Sequence, residues 1–476
     1  MTRGRSILRT WAAAAAALLG VSFGPDFGTT ASAAPLTLDE VTRSAIERYP
    51  LLAAAKKDVA IASAEVLSAE GGFDPALQMK AGTIPFGPYE YDRLEVYAEQ
   101  PTAIWGTRFF GGWRYGRGDI PPYYGYLRTN DHGEVRAGAD IPILRDGPID
   151  RRRAALRRAE IGAQIAPLSV EQQKLEVVRM ASVRYWDWVA SGRKLDIARD
   201  LLEVAVVRDA QLRARVERGD LPGIERADNE RAIQQRSAQL AGAQRSLENA
   251  AIELSLFLRD DEGMPRMADT RRLPDALPEP VVPDIAAGAA DERLALLRRP
   301  EPKRLTLLAE QARVDLAYAE NQRKLGLDFI VQGAKDLGPG DPKLGKPELE
   351  LMLLVDVPLL NRVQKGRAAA AEATIARAAL QTSYARDRVV ADVRDAKSAM
   401  ELARQRVAAA RREVGVAQQL VELERQRFEM GEGTLFLVNL REQAAAEASL
   451  REVDALADFH RAVATHRAAT GSVAGP

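Results

Sequence analysis

The stretch "RFEMGEG" (Arg427–Gly433) interrupts what is otherwise one very long helical pattern, and "RVERGDLPG" (Arg215–Gly223) interrupts another in the same way. In each, an Arg stands four residues before a Gly: Arg427 before Gly431, and Arg215 before Gly219. Counting backward from Gly431 in alternating steps of three and four reaches Phe428, Glu424, Val421, Ala417, Val414, Ala410, Val407, Ala403, Met400, Ala396, Val393 and Val389. Eleven of these twelve are apolar, and larger side chains alternate with alanine. That is a coiled-coil seam held for more than five heptads. The same steps from Gly219 reach Val216, Leu212, Asp209, Ala205, Leu202, Ala198, Leu195, Ser191, Trp188, Arg184, Ala181 and Val177. Two seams in one phase, 212 residues apart, indicate an internal duplication.

The repeat extends upstream. "ADIPILRDGPIDRRRAALRRAE" (Ala139–Glu160) matches "VDVPLLNRVQKGRAAAAEATIA" (Val355–Ala376), so Pro142 and Pro358 mark equivalent strand-to-helix joints. The runs before them alternate with period two: Val135, Ala137, Ala139 and Ile141 share one face, as do Leu349, Leu351, Leu353 and Val355. An earlier short alternating run lies near Leu77 in the first copy and near Phe329 in the second. One repeat therefore predicts helix, strand, strand, long helix, break, helix. Pro50 to Pro142 is 92 residues and Pro300 to Pro358 is 58, so the first copy carries about 34 extra residues. That excess falls in residues 86–126, which hold twelve of the chain's 27 aromatics; "YDRLEVYAE" and "TRFFGGWRYG" predict an added hairpin at about 88–121. The expected organisation is a leader at 1–33, a first repeat at 34–262, a proline-rich linker at 263–290 and a second repeat at 291–476.

The leader carries Arg3, Arg5 and Arg9, then "WAAAAAALLGV", then "ASA" at 31–33, the order of a cleaved secretory signal peptide. No cysteine occurs, so packing alone must hold the exported chain and no thiol can carry a lipid anchor. Lys+Arg and Asp+Glu are equal at 67 each, which gives no electrostatic reason to bind nucleic acid. The three His residues, His132, His460 and His466, lie far apart and do not form a metal-ligand pattern. No Walker loop or serine elbow is present, and "GGWRYGRG" (Gly111–Gly118) lacks the strand-to-helix setting of a dinucleotide loop. The expectation is no enzyme and no cofactor. "RRRAALRR" (Arg151–Arg158) reads as a solvated helix face or a contact for anionic lipid heads.

Physically, four strands, or six with the hairpin, cannot close a membrane barrel, which needs about eight. In lipid an open sheet would leave edge N–H and C=O groups unsatisfied, so several chains would have to pool strands. The stretches Arg151–Arg218 and Arg362–Met430 would form helices about 100 Å long at ~1.5 Å per residue. The clustered aromatics suit the interfacial girdle of a barrel.

Together the opening "LTLDEVTRSAIERYPLLAAAKKDVAIASAE" (Leu36–Glu65), the two "PIL/PLL" joints and the two Arg-x-x-x-Gly breaks resemble the TolC-like outer-membrane efflux proteins over the whole mature chain. The resemblance implies a homotrimer: a β-barrel in outer-membrane lipid, continued by a periplasmic α-helical coiled-coil barrel. It implies an exit duct of a tripartite efflux or type I secretion system, docked on a periplasmic adaptor and through it on an inner-membrane pump. Arg215, Gly219, Glu225, Arg427 and Gly431 would then form the adaptor-docking tips. The family often places acids six and nine positions after the second glycine; here Leu437 and Leu440 stand there, while the first copy has Glu225 and Asp228. Asp228, Leu437 and Leu440 are thus the candidate periplasmic aperture, with an apolar, dewetting constriction or plain coiled-coil packing as the two roles open to the leucines. Two other readings of the chain stay open: a non-conducting scaffold that spans the periplasm, and a periplasmic adaptor.

Overall fold

The computed structural model describes residues 34–281 and 289–472, so the signal-peptide expectation and part of the linker lie outside the described residues. The first copy runs α1 (Leu38–Arg48), α2 (Pro50–Glu70), β1 (Ala76–Ile84), β2 (Tyr91–Pro101), β3 (Arg108–Gly118), β4 (Glu134–Pro142), α3 (Arg151–Glu217) and α4 (Gly223–Ser255). The second runs α5 (Ala289–Arg298), α6 (Pro300–Asn321), β5 (Gly326–Asp336), β6 (Glu348–Asp356), α7 (Arg362–Glu429) and α8 (Leu435–Ala469). Apart from β2 and β3, the order is the same twice. Even the short breaks match: Pro50 and Pro300 each open a helix at its first position, where the missing N–H costs nothing.

The long helices α3 and α7 have 67 and 68 residues. Near their C-terminal ends each folds back on a shorter partner, α4 on α3 and α8 on α7. Toward the sheet the partners are α2 against α3 and α6 against α7 and α3. Four helices therefore lie side by side at either level. The predicted seam of α7 is the buried one, with Val389, Val393, Ala396, Met400, Ala403, Val407, Ala410 and Val421 inaccessible. The α3 seam departs at one position. Arg184, on the predicted stripe, is solvent-exposed and within 3.5 Å of both Asp187 and Glu253, while its neighbour Tyr185 turns into the core. The stripe is buried again on both sides of it, at Trp188 and at Ala181 and Val177, so the departure is local: the long Arg184 side chain carries its charge out to the surface carboxylates.

The largest buried cluster gathers Val41, Ala45, Val177, Ala181, Tyr185, Trp188, Leu254 and Leu456, where α1, α4 and α8 meet the middle of α3. The proline-rich linker packs into this belt: Ala268 and Leu277 are buried, and Leu273 leaves no room for a side chain at Gly192. The Tyr185 hydroxyl donates to the Leu36 carbonyl at 2.8 Å, which ties the start of the described chain to the same belt.

The six strands of the described residues form one antiparallel sheet in the order β1-β2-β3-β4-β5-β6. The added hairpin therefore enters the sheet between β1 and β4. Pro142 ends β4, and Pro358 follows β6 by two residues, each before a long helix. Among the described residues, no helix is long and apolar enough to cross a membrane.

Candidate functional site

At the far end from the sheet, the two breaks have one geometry. Gly219 and Gly431 both take φ 81°. The Gly219 N–H donates to Val216 O at 3.0 Å and the Asp220 N–H to Arg215 O at 2.9 Å; the Gly431 N–H donates to Phe428 O at 3.1 Å and the Glu432 N–H to Arg427 O at 2.9 Å. This pair of bonds is the Schellman ending, which satisfies the last carbonyls of a helix and requires positive φ at the glycine. The Arg four residues earlier supplies both a carbonyl for that ending and a cation that offsets the C-terminal dipole. A Cβ at either glycine would meet open space, so backbone conformation alone selects the residue.

The tips of the two hairpins are joined to each other. Glu225, in the first turn of α4, accepts the Leu435 N–H at 2.9 Å. Leu435 opens α8, whose N-cap Thr434 makes no side-chain cap bond, so a carboxylate from the other repeat does the capping. Below it, Leu212, Leu435 and Val438 form a small buried cluster with Leu221 and Phe428 against it. The candidate aperture residues sit outside that cluster: Leu440 is exposed, Leu437 half-buried, and Asp228 half-buried at 4.0 Å from Arg231. Arg427 is exposed, 3.5 Å from Glu424.

Sequence periodicity did not reveal the strongest polar feature of this end. Glu442 on α8 is 3% exposed, and guanidinium groups from three other helices converge on it. Arg236 of α4 donates at 3.0 Å, Arg425 of α7 at 2.7 Å, and Arg208 of α3 completes the set. Asn439 accepts a further bond from Arg208 at 3.0 Å, and Arg236 also donates to Leu201 O at 2.8 Å. Burial alone would raise the Glu442 pKa, but the charge of Arg208 and the hydrogen bonds from Arg425, Arg208 and Arg236 outweigh it and hold the carboxyl below its usual range. Between the hairpins a groove of about 570 Å³ is lined by Val207, Leu212, Arg215, Arg425, Phe428 and Val438.

At the other end the sheet is largely open on its apolar side, while on the charged side Ile120 and Leu127 pack on Tyr91. Strand pairing places Lys80, Glu95, Arg114, Glu134, Asp336 and Glu350 on one side. On this side Arg114 pairs with Glu134, Arg108 with Asp140 and with Glu99 at 3.2 Å, and Arg145 reaches Asp356 at 2.6 Å. The opposite side carries Leu77, Met79, Leu94, Val96, Phe109, Trp113, Tyr115, Val135, Phe329, Leu349, Leu351, Leu353 and Val355. Many of these are exposed, among them Leu77 at 76% and Leu349 at 69%. Aromatics occupy two levels of the apolar face: Phe109 and Phe329 toward the helices, and Trp113 stacked on Tyr115 at 6.0 Å toward the far end. From Phe109 to Tyr115 is about 20 Å at ~3.4 Å per residue, close to the ~25 Å apolar band of a membrane barrel.

No protein-family model and no curated protein sequence matches the chain. Solved structures do. VceC, an outer membrane protein of Vibrio cholerae, aligns at TM-score 0.66 and 15% identity over 91% of this chain and 96% of its own. The MtrE outer membrane channel of Neisseria gonorrhoeae, in an open state, aligns at 0.64 and 16% over 91% and 89%. The CmeC outer membrane channel of Campylobacter jejuni aligns at 0.64 and 14% over 91% and 85%. Identities this low speak to architecture alone: the chain has the mainly helical fold, with its small antiparallel sheet, of solved outer-membrane channels.

Proposed function

We propose that three copies of this chain form a passive outer-membrane channel, the exit duct of a tripartite efflux or type I secretion system. The carrying observation is the sheet: its apolar face is exposed, its opposite face carries ion pairs on Arg108, Arg114 and Asp356 beside the exposed Met352 and Leu354, and both its edges are free. An apolar face of that size is unfavourable in water, and a charged face is unfavourable in lipid. A barrel wall between lipid and a water-filled pore suits both faces. Helices of nearly seventy residues then extend the duct by about 100 Å on the periplasmic side. In this reading residues 1–33 are a signal peptide, 34–262 and 291–476 are the two repeats, and the protein is neither an enzyme nor a lipoprotein. The tips at Gly219 and Gly431, with Arg215, Glu225 and Arg427, receive a periplasmic adaptor and through it an inner-membrane pump. Asp228, Leu437 and Leu440 border the periplasmic mouth.

The inter-hairpin groove supplies the test of docking. Val207 is exposed and lines it, so Val207→Trp fills the groove without entering the core. Oligomers of this variant should reach the outer-membrane fraction in normal amount, while co-purification of the adaptor falls by about tenfold, as for a lost interface hot spot. Unchanged adaptor recovery would remove the groove from the docking surface. Chain found only in the soluble periplasmic fraction would remove the channel itself.

A further inference from the structure

The extra hairpin β2–β3 determines how wide the duct can be. We infer that it belongs to the pore wall, and that the free edge of β1 in one copy pairs with the free edge of β6 in the next, so that three copies close an eighteen-stranded barrel. The copy number rests on the channel reading above. The pore rests on that reading too; the place of the hairpin within the sheet rests on the strand order alone.

Three observations support it. First, the alternation of the sheet continues through the middle of the hairpin: Leu94 and Val96 of β2 lie opposite Tyr115 and Trp113 on the apolar side, and Glu95 lies opposite Arg114 on the charged side; toward the tip Asp92 faces Arg117 on the apolar side. A hairpin extending into solvent has no reason to sort its side chains this way. Second, the two edges fit each other. Both are nine residues long and contain no proline, and each has one edge unpaired, which invites another chain. Because six antiparallel strands alternate in direction, β6 of one copy meets β1 of the next antiparallel. Leu77 and Met79 then continue the apolar band of Leu349 and Leu351. On the pore side Lys80 at one edge faces the acidic edge of Glu348 and Glu350. Third, the widths agree. Strands ~4.8 Å apart and tilted about 40° each occupy roughly 6.3 Å of circumference, so six span about 38 Å. Four helices at about 9.5 Å spacing also span about 38 Å, whereas four strands would span only about 25 Å. With the hairpin in the wall, the barrel is as wide as the helical cylinder that feeds it; without it, the duct narrows by about a third at the membrane.

The cysteine-free chain permits a direct test. Single cysteines are placed at pore-side positions (Glu95→Cys, Glu350→Cys) and lipid-side positions (Val96→Cys, Ala98→Cys, Leu351→Cys), and outer-membrane vesicles are treated with a charged, water-soluble thiol reagent. Pore-side cysteines should react at least about tenfold faster than lipid-side ones on β2 as well as on β6. Two lipid-side positions on β2 guard against one variant failing to assemble. Alternation on β6 with equal reactivity on β2 would expel the hairpin from the wall and overturn the inference, leaving the channel intact. Equal reactivity on both strands would take the sheet out of the bilayer and overturn the channel reading too. Native mass spectrometry of the extracted oligomer should count three copies; any other number overturns the eighteen-strand barrel. Oxidation of Met79→Cys combined with Leu349→Cys, Leu351→Cys or Leu353→Cys should link copies covalently in at least one pair. Purely monomeric products in all three would refute the edge pairing.

Discussion

Glu442 shows how much one residue can organise. Its carboxylate is the common acceptor for arginines from three helices, and without it the largely buried Arg236 and Arg208 would lose their countercharge, while Arg425 is 40% exposed. Breaking a buried pair by removing one partner costs about 3–5 kcal/mol, far more than the pair itself contributes against an apolar replacement. Glu442→Gln keeps the shape and removes the charge, so it should destabilise the extracted protein by about 3 kcal/mol at neutral pH. The pH dependence follows from the lowered carboxyl. A group whose folded pKa is depressed stabilises above its unfolded value and loses that contribution as pH falls through the folded one. The gap between wild type and Glu442→Gln should therefore be full at pH 7 and close only below the usual glutamate range near 4.5. Thermal melts of both proteins from pH 7 to pH 3 measure it; a gap that is constant with pH would show that the charge is not what holds the junction.

At the scale of elements, the two hairpins make one unit because Glu225 of the first repeat caps α8 of the second. Losing a helix cap costs about 1 kcal/mol, and the loss is local. Glu225→Ala should speed hydrogen exchange of the Leu435 to Val438 amides several-fold while exchange in the main buried belt stays unchanged. Equal protection in the variant would mean that another group caps α8. These elements differ in how legible they are in the sequence. The breaks, both seams and all six strands are visible because each rests on local periodicity: steps of three and four ending at Gly219 and Gly431, or alternation as in Leu349 to Val355. The Glu442 junction is not visible, since Arg208 and Arg236 lie 234 and 206 positions away and no periodic rule links them. The hairpin's strands could be read from "YDRLEVYAE" and "TRFFGGWRYG", but alternation alone does not say whether they stand apart or join the sheet; they join it in sequence order, between β1 and β4. Arg184 misleads for a different reason: a long side chain can leave a seam position and reach surface carboxylates, here Asp187 and Glu253, which spacing alone does not show.

Over the whole molecule, the two ends impose different demands. The sheet end cannot be satisfied by one chain, because a single sheet leaves both edges unpaired and an apolar face uncovered. The helical end is already closed within the chain by the Glu225 cap, the Leu212 cluster and the Glu442 junction, so each copy can fold its hairpins before it assembles. In the proposed channel, assembly is driven at the membrane, where edges and face are satisfied together. The most direct measurement of this account is the conductance of the purified oligomer in planar lipid bilayers. A continuous duct predicts discrete, reproducible steps that scale with salt concentration, and a smaller step when residues 88–121 are removed and the wall loses two strands per copy. Oligomers that insert into the bilayer and pass no current under any voltage would contradict it, and would leave a scaffold rather than a channel.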